Sequence, residues 1–258
     1  MTSAHDLADL VHLSRTLGEP WRRFVILAEG NTSQRVAEDQ LVVKATGRSL
    51  RNASAADFVA VSLSRLSDIV DDSAAGDADV ARYFDEVETE QCMRPSVEAL
   101  LHVVCVVDAR ATTVAHTHPE SVNALLCSDR ADVLAGPPIY PDQVVVIGRR
   151  ALLIPYSDPG VVLAREVRAR LAEHARQWGM PHVIYLGNHG MVALGSSAGQ
   201  VLQLTEMADK VSRVMATTLS FGNVVPMTDE SAERIDTRDD EQIRRIALAR
   251  GTLQADSD

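Results

Sequence analysis

The chain opens with Leu7, Leu10, Val11, Leu13 and Leu17 at spacings of three and four, which predicts an amphipathic helix over residues 3–19, capped by Ser3 and stopped by Gly18. The pattern then shortens. FVILAEGNTS, QLVVKATG and DFVAVSL are short β-like runs separated by Gly, Asn and Asp, and they read as strands joined by tight turns. Residues 71–92 are rich in Asp, Glu, Ala and Ser with no strong apolar face before Tyr83 and Phe84, so a solvated loop is expected there. Pro95 then opens a continuous apolar run, SVEALLHVVCVV, which predicts a well-buried helix ending near Asp108.

Downstream, ATTVAHTH reads as a strand, PESVNALLC as a short helix opened by Pro119, and VVVIG with ALLIPY as a strand pair around the basic turn GRR. A long helix over DPGVVLAREVRARLAEHARQWG stops at Gly179. VIYLGNHGMVALG follows as a hairpin turning at residues 187–190, then helices over SAGQVLQLTEMADKVSRVMATTLS and DDEQIRRIALAR. Neither a repeat nor a linker interrupts this order. Residues 1–258 therefore read as a single α/β domain, helices packed on a mixed sheet, with a polar tail from about residue 250.

Composition adds exclusions. With 258 residues, 46% hydrophobic and 24% charged, the chain can bury a sizeable core. A net charge of -11 argues against nucleic acid as a partner, since phosphates require clustered Lys and Arg. No run approaches the roughly 20 apolar residues of a membrane span. The N-terminus MTSAHDLADLVHLSRTLGE has acids and no basic segment leading into an apolar one, unlike a signal peptide, so a cytoplasmic location is expected. Cys92, Cys105 and Cys127 form no CxxC pair and read as reduced and structural.

The candidate chemistry lies in the histidines. Strand alternation sends His116 and His118 of VAHTHPE to one face, where two imidazoles can seat one metal ion. His189 sits in the Gly-Asn-His-Gly turn of a second apolar hairpin. Three neutral imidazoles with an open fourth position form a catalytic zinc arrangement, although a lone His or a chance HxH is more often a surface or satisfied core residue. Glu98 in the first helical turn reads either as a group favoured by the helix dipole or as functional. His102, four residues on, is able to bond Glu98 but reads best as a satisfied core histidine. The loops EGNTS and KATGRS offer backbone N–H groups and hydroxyls that suit an anion, although read by themselves they are more often plain hairpin turns.

Taken in order, GNTS, KATG, PSVE, HTHP, IPYSDPG and LGNHG resemble the class II aldolase and adducin family over roughly residues 5–220. The resemblance implies a three-layer α/β/α sandwich around a mixed, mostly antiparallel sheet, and a homotetramer with active sites at subunit boundaries. It implies that His116, His118 and His189 bind a divalent metal, zinc above all. Glu98 corresponds to the acid that carries the proton and is placed to touch the metal. Gly30, Asn31, Ser33, Thr46, Gly47 and Ser96 correspond to positions that hold the substrate phosphate or its equivalent. The sequence departs from the pattern at Val97, where fuculose phosphate aldolase-like members have a second Ser, and no Tyr follows Tyr185 to match their C-terminal proton carrier; Tyr140 receives no role. The implied activity is reversible aldol cleavage of a sugar or sugar phosphate through an enediolate, with Glu98 expected to have a raised pKa beside Val97, Leu100 and Leu101. An epimerase, dehydratase or decarboxylase of the same family is the alternative, as is an adducin-like non-catalytic module. The retained histidines and Glu98 weigh against the module.

Overall fold

The structure, a computed structural model, describes residues 7–249. Its elements in chain order are α1 (Ala8–Leu17), β1 (Asn31–Ala37), β2 (Gln40–Lys44), β3 (Phe58–Ser62), α2 (Leu63–Asp71), α3 (Asp77–Gln91), α4 (Ala99–Val107) and β4 (Thr113–Thr117). They continue with α5 (Glu120–Leu126), α6 (Pro141–Val146), β5 (Leu152–Ile154), α7 (Val161–Trp178), β6 (Val183–Leu186), β7 (Gly190–Gly195), α8 (Ala198–Phe221), α9 (Asp229–Asp236) and α10 (Asp239–Ala249). The seven strands form one sheet in the order β3-β2-β1-β4-β7-β6-β5. Every neighbouring pair is antiparallel except β5 and β6, which α7 links by a crossover.

Alternation along the strands supplies both faces of the sandwich. Val114, Ile184, Val192 and Leu194 face a core shared with α2, α3, α4 and α7. Ala115, Tyr185, Met191 and Ala193 face a second core under α5, α8 and the C-terminal half of α1. Leu7, Leu10, Val42, Ala53 and Phe58 extend that side beneath β2. The fold is thus the expected three-layer α/β/α sandwich, with β4 at the centre of its sheet.

Several local expectations are corrected. Residues 77–91 form helix α3 and not a solvated loop: Val80, Tyr83, Phe84 and Val87 make a buried stripe, and the Asp79 carboxylate accepts from Gly76 N–H at the start. VVVIG belongs to α6 and its end, because Pro141 occupies the first helical turn after an extended Tyr140; only Leu152–Ile154 of the expected strand pair is a strand. The first strand is Asn31–Ala37, so GNTS enters the strand and FVIL precedes it as loop. The buried helix begins at Ala99, since Pro95 is held in an antiparallel bridge with Ala45 and Ser96 N–H donates to the Lys44 carbonyl. Helix α9 was not foreseen. Cys105 is buried, whereas Cys92 and Cys127 are exposed, and all three are free thiols. Ser3 and the tail from residue 250 lie outside the described residues. Among those residues no helix is long and apolar enough to cross a membrane.

Candidate metal centre

β4 carries His116 into the middle of the sheet, where its neighbours are Asn31 on β1 and Val192 on β7. His116 is wholly buried. One residue beyond the strand, His118 is anchored by its N–H to the Phe24 carbonyl and projects to the same side. The turn between β6 and β7 brings in His189, with Asn188 in the left-handed region at φ 53° and the Asn123 side-chain amide donating to the His189 carbonyl. Gly190 makes the approach possible: a Cβ there would stand 2.5 Å from His118 Cδ2 and 2.6 Å from the Thr117 carbonyl. One ring nitrogen from each of the three histidines falls within 4.8 Å of the others.

Hydrogen bonds behind the rings aim them. His116 Nδ1–H donates to the Met191 carbonyl at 3.0 Å, and His118 Nδ1–H to the Glu29 carboxylate at 2.8 Å. In the neutral rings, the form that binds a metal, the proton is thereby assigned to Nδ1 and the lone pair to Nε2; a second proton on His116 would sit on Nε2, facing Glu98. The two Nε2 atoms face each other at 2.9 Å. Opposed lone pairs at that distance repel unless a cation lies between them. Glu98 Oε1 stands 3.2 Å from His116 Nε2 and 3.0 Å from His189 Nε2, closing the cluster. Such a set of imidazole nitrogens and one carboxylate suits a divalent metal.

The same groups perturb one another electrostatically. Burial raises the Glu98 pKa, but the adjoining His116 and His189 outweigh it and hold the carboxyl well below the usual range. The expected raised pKa is corrected here, and Val97, 60% exposed, does not cover the carboxylate. Burial disfavours a proton on His116, yet the Glu98 charge and hydrogen bond lift its pKa overall. His118 is lowered, by burial and then by His116.

The other sequence-marked residues divide into two groups. Asn31 Nδ2 donates to Glu98 Oε2 at 2.8 Å and to Ser96 Oγ at 3.3 Å, so Asn31, Ser96 and Glu98 meet. Thr46 and Gly47 form an exposed turn next to them, tied by Thr46 N–H to the Arg94 carbonyl, with Gly47 at φ 72°. Gly30, at φ 68°, lies under the centre, where a Cβ would stand 2.7 Å from Val25 Cγ1 and 2.9 Å from the His116 carbonyl. Ser33 is not brought to the cleft; it is wholly buried, its hydroxyl 2.7 Å from His102 Nδ1. His102 accordingly turns to Ser33 and not to Glu98, and burial, with His116 next, pushes it down to about 3 and keeps it neutral. Tyr140 directs its hydroxyl to the Met207 sulfur in the second core.

Two residues escaped the sequence reading. Glu29 orients His118, and its only signal was an acid beside GNTS. Lys44 is 2% exposed and donates to the carbonyls of Ala28 and Arg48, tying the two glycine-containing loops together. Burial lowers its pKa to about 8 against the pull of Glu98 and Asp57. A lysine inside the apolar run LVVKATG was the available sign.

Residues 8–216 match the model of the Class II Aldolase and Adducin N-terminal domain. The chain belongs to this family. A curated relative, the uncharacterized oxidoreductase YuxG of Bacillus subtilis, is 25% identical over 213 residues, which cover 76% of this chain and 27% of YuxG. The chain thus spans about a quarter of that relative's length. Among solved structures, YgbL of Klebsiella pneumoniae is 20% identical, with a TM-score of 0.66 over 91% of this chain and 100% of its own. The L-fuculose-1-phosphate aldolase of Thermus thermophilus is 15% identical, with a TM-score of 0.60 over 88% and 100%. At these identities the likeness establishes the class II aldolase fold.

Proposed function

We propose that the chain is a metal-dependent lyase that cleaves and forms a carbon–carbon bond in a sugar or sugar phosphate. The observation that carries the reading is the convergence of His116, His118, His189 and Glu98, with two imidazoles held by Nδ1 so that their Nε2 atoms face inward. His116, His118 and His189 would hold the ion, with Glu98 beside or upon it. Zinc fits this donor set. When bound, a divalent ion supplies Lewis acidity toward substrate keto and hydroxyl oxygens.

The chain's own groups perform the rest. Glu98, ionised, accepts a proton at one carboxylate oxygen while Asn31 Nδ2 holds the other. Ser96, whose hydroxyl hydrogen is left over after Oγ accepts from Asn31, and the Thr46–Gly47 turn supply donors for the anionic or hydroxyl end of the substrate, while Asn31 uses both amide N–H bonds in holding Glu98 and Ser96. Gly30 keeps the segment that leads into β1 close to β4. Val97, in place of a second hydroxyl, leaves fewer donors there and supports a free sugar as well as a phosphorylated one.

Trp21, Ile26 and Leu27 are 71%, 65% and 88% exposed on the loop leading to Glu29, which supports a subunit boundary near the centre and a homotetramer. Three free thiols support the cytoplasm. The test is metal analysis of the purified protein, followed by a screen for aldehyde release from ketoses and ketose phosphates, with CO2, dehydrated and epimeric products monitored together. About one ion per chain is expected, absent from a His116→Ala, His118→Ala double variant. Stoichiometric metal in that variant would end the assignment; a product other than an aldehyde would transfer the site to another reaction.

A further inference from the structure

A histidine wholly buried in the run LLHVVCVV is an expensive choice. His102 Nε2 has no hydrogen-bond partner, and only Nδ1 is satisfied, by Ser33. A leucine would fill the same core without stranding a polar atom. What a leucine lacks is direction.

Direction is what the neighbouring geometry uses. Asn31 and Ser33 are two residues apart on β1, and Glu98 and His102 are four apart at the start of α4. Two strand residues advance about 6.6 Å and four helical residues about 6 Å, so the two spacings match. Both rungs of the resulting ladder are made: Asn31 to Glu98 at 2.8 Å, and Ser33 to His102 at 2.7 Å. The backbone joins them again, since His102 N–H donates to the Glu98 carbonyl. Glu98 itself has no side-chain bond to its own helix terminus. Its Oε2 is held from β1 by Asn31 while Oε1 meets His116 and His189, and a helix free to slide or rotate on the strand would carry the carboxylate away from both.

We propose that Ser33 and His102 are positioning residues: their buried hydrogen bond fixes the register of α4 on β1 and so places the Glu98 carboxylate at the metal centre. This rests on the metal-centre reading above. Neither residue touches the ion or the substrate. They act through Glu98.

The test uses Co2+ alone as the probe, on the full chain, by titration followed in visible absorbance, with thermal melting alongside. His102→Leu and Ser33→Ala should each weaken Co2+ binding by about tenfold, the lower end of the range for residues that orient a metal's ligands, and change the visible band in the direction that Glu98→Gln changes it. His102→Asn, whose side-chain amide can stand where Nδ1 stands, should restore much of the affinity. The Ser33→Ala, His102→Leu double variant should be no weaker than either single variant, because both break one rung. Wild-type affinity and spectrum in both single variants, alongside an altered Glu98→Gln protein, would overturn the ladder and leave the metal centre standing. Failure of the unaltered protein to bind Co2+ would overturn the centre itself. Loss of the fold in both single variants would also overturn the proposal, by making the pair a stability element.

Discussion

Replacing His102 with leucine should make the protein less sensitive to acid. An ordinary histidine protonates near pH 6.5, whereas burial, with help from His116 and Lys44 and against Glu98, holds His102 at about 3. A depressed histidine contributes stability that is fully present above its unfolded value and is lost as pH falls from about 6.5 toward about 3, because only the unfolded chain takes up the proton. Each pH unit below 6.5 costs about 1.4 kcal/mol, so the loss between pH 7 and pH 5 is about 2 kcal/mol. His102→Leu has nothing to protonate at this position. Urea unfolding of both proteins at the two pH values, after metal is stripped with a chelator, gives the comparison directly. With a denaturant slope of about 3 kcal/mol per molar, the midpoint of the unaltered protein should drop by about 0.7 M more than that of the variant. Equal drops would refute a neutral, buried His102.

Three further outcomes follow from the site. Glu98→Gln should fold and lower turnover by roughly 10²-fold or more, measured on whichever substrate the product screen identifies; near-normal turnover with metal bound removes Glu98 from the reaction. Glu29→Ala should weaken metal binding by roughly 10- to 100-fold through loss of its bond to His118 Nδ1, and equilibrium dialysis against Zn2+ decides it. Gly190→Ala should cost about 1–3 kcal/mol in a urea melt and reduce metal content, since the new methyl meets both His118 and the Thr117 carbonyl.

Legibility tracked how local the physics was. The hairpin with His189 at its turn and the strand bearing His116, with His118 one residue past its end, could be read directly, because alternation and glycine punctuation act over a few residues. Helix α3 was missed because its stripe of Val80, Tyr83, Phe84 and Val87 is diluted by acids, and tertiary packing supplies what composition conceals. VVVIG was misassigned because a short run of β-branched residues reads as a strand until Pro141 is recognised as a helix start. The roles of Glu29 and Lys44 depend on contacts with chain segments that no spacing rule connects to them. Ser33 illustrates the converse: strand periodicity places it on the face of Asn31, but one pleat deeper, inside the core.

The pairing of β4 with β7 sets His116 beside Val192 and brings its ring to the Met191 carbonyl, 75 positions along the chain. No stretch of local structure contains more than two of the three histidines, so an unfolded chain has no high-affinity seat for the ion. With the proposed centre, an ion's binding energy would belong to the folded state alone, and free ion at 100 times its Kd would add about 2.7 kcal/mol of stability. Closing so long a loop before reward arrives is also a slow step in folding. Scarcity of the ion would then lower how much folded protein persists against proteolysis, and ion supply would govern abundance as well as activity.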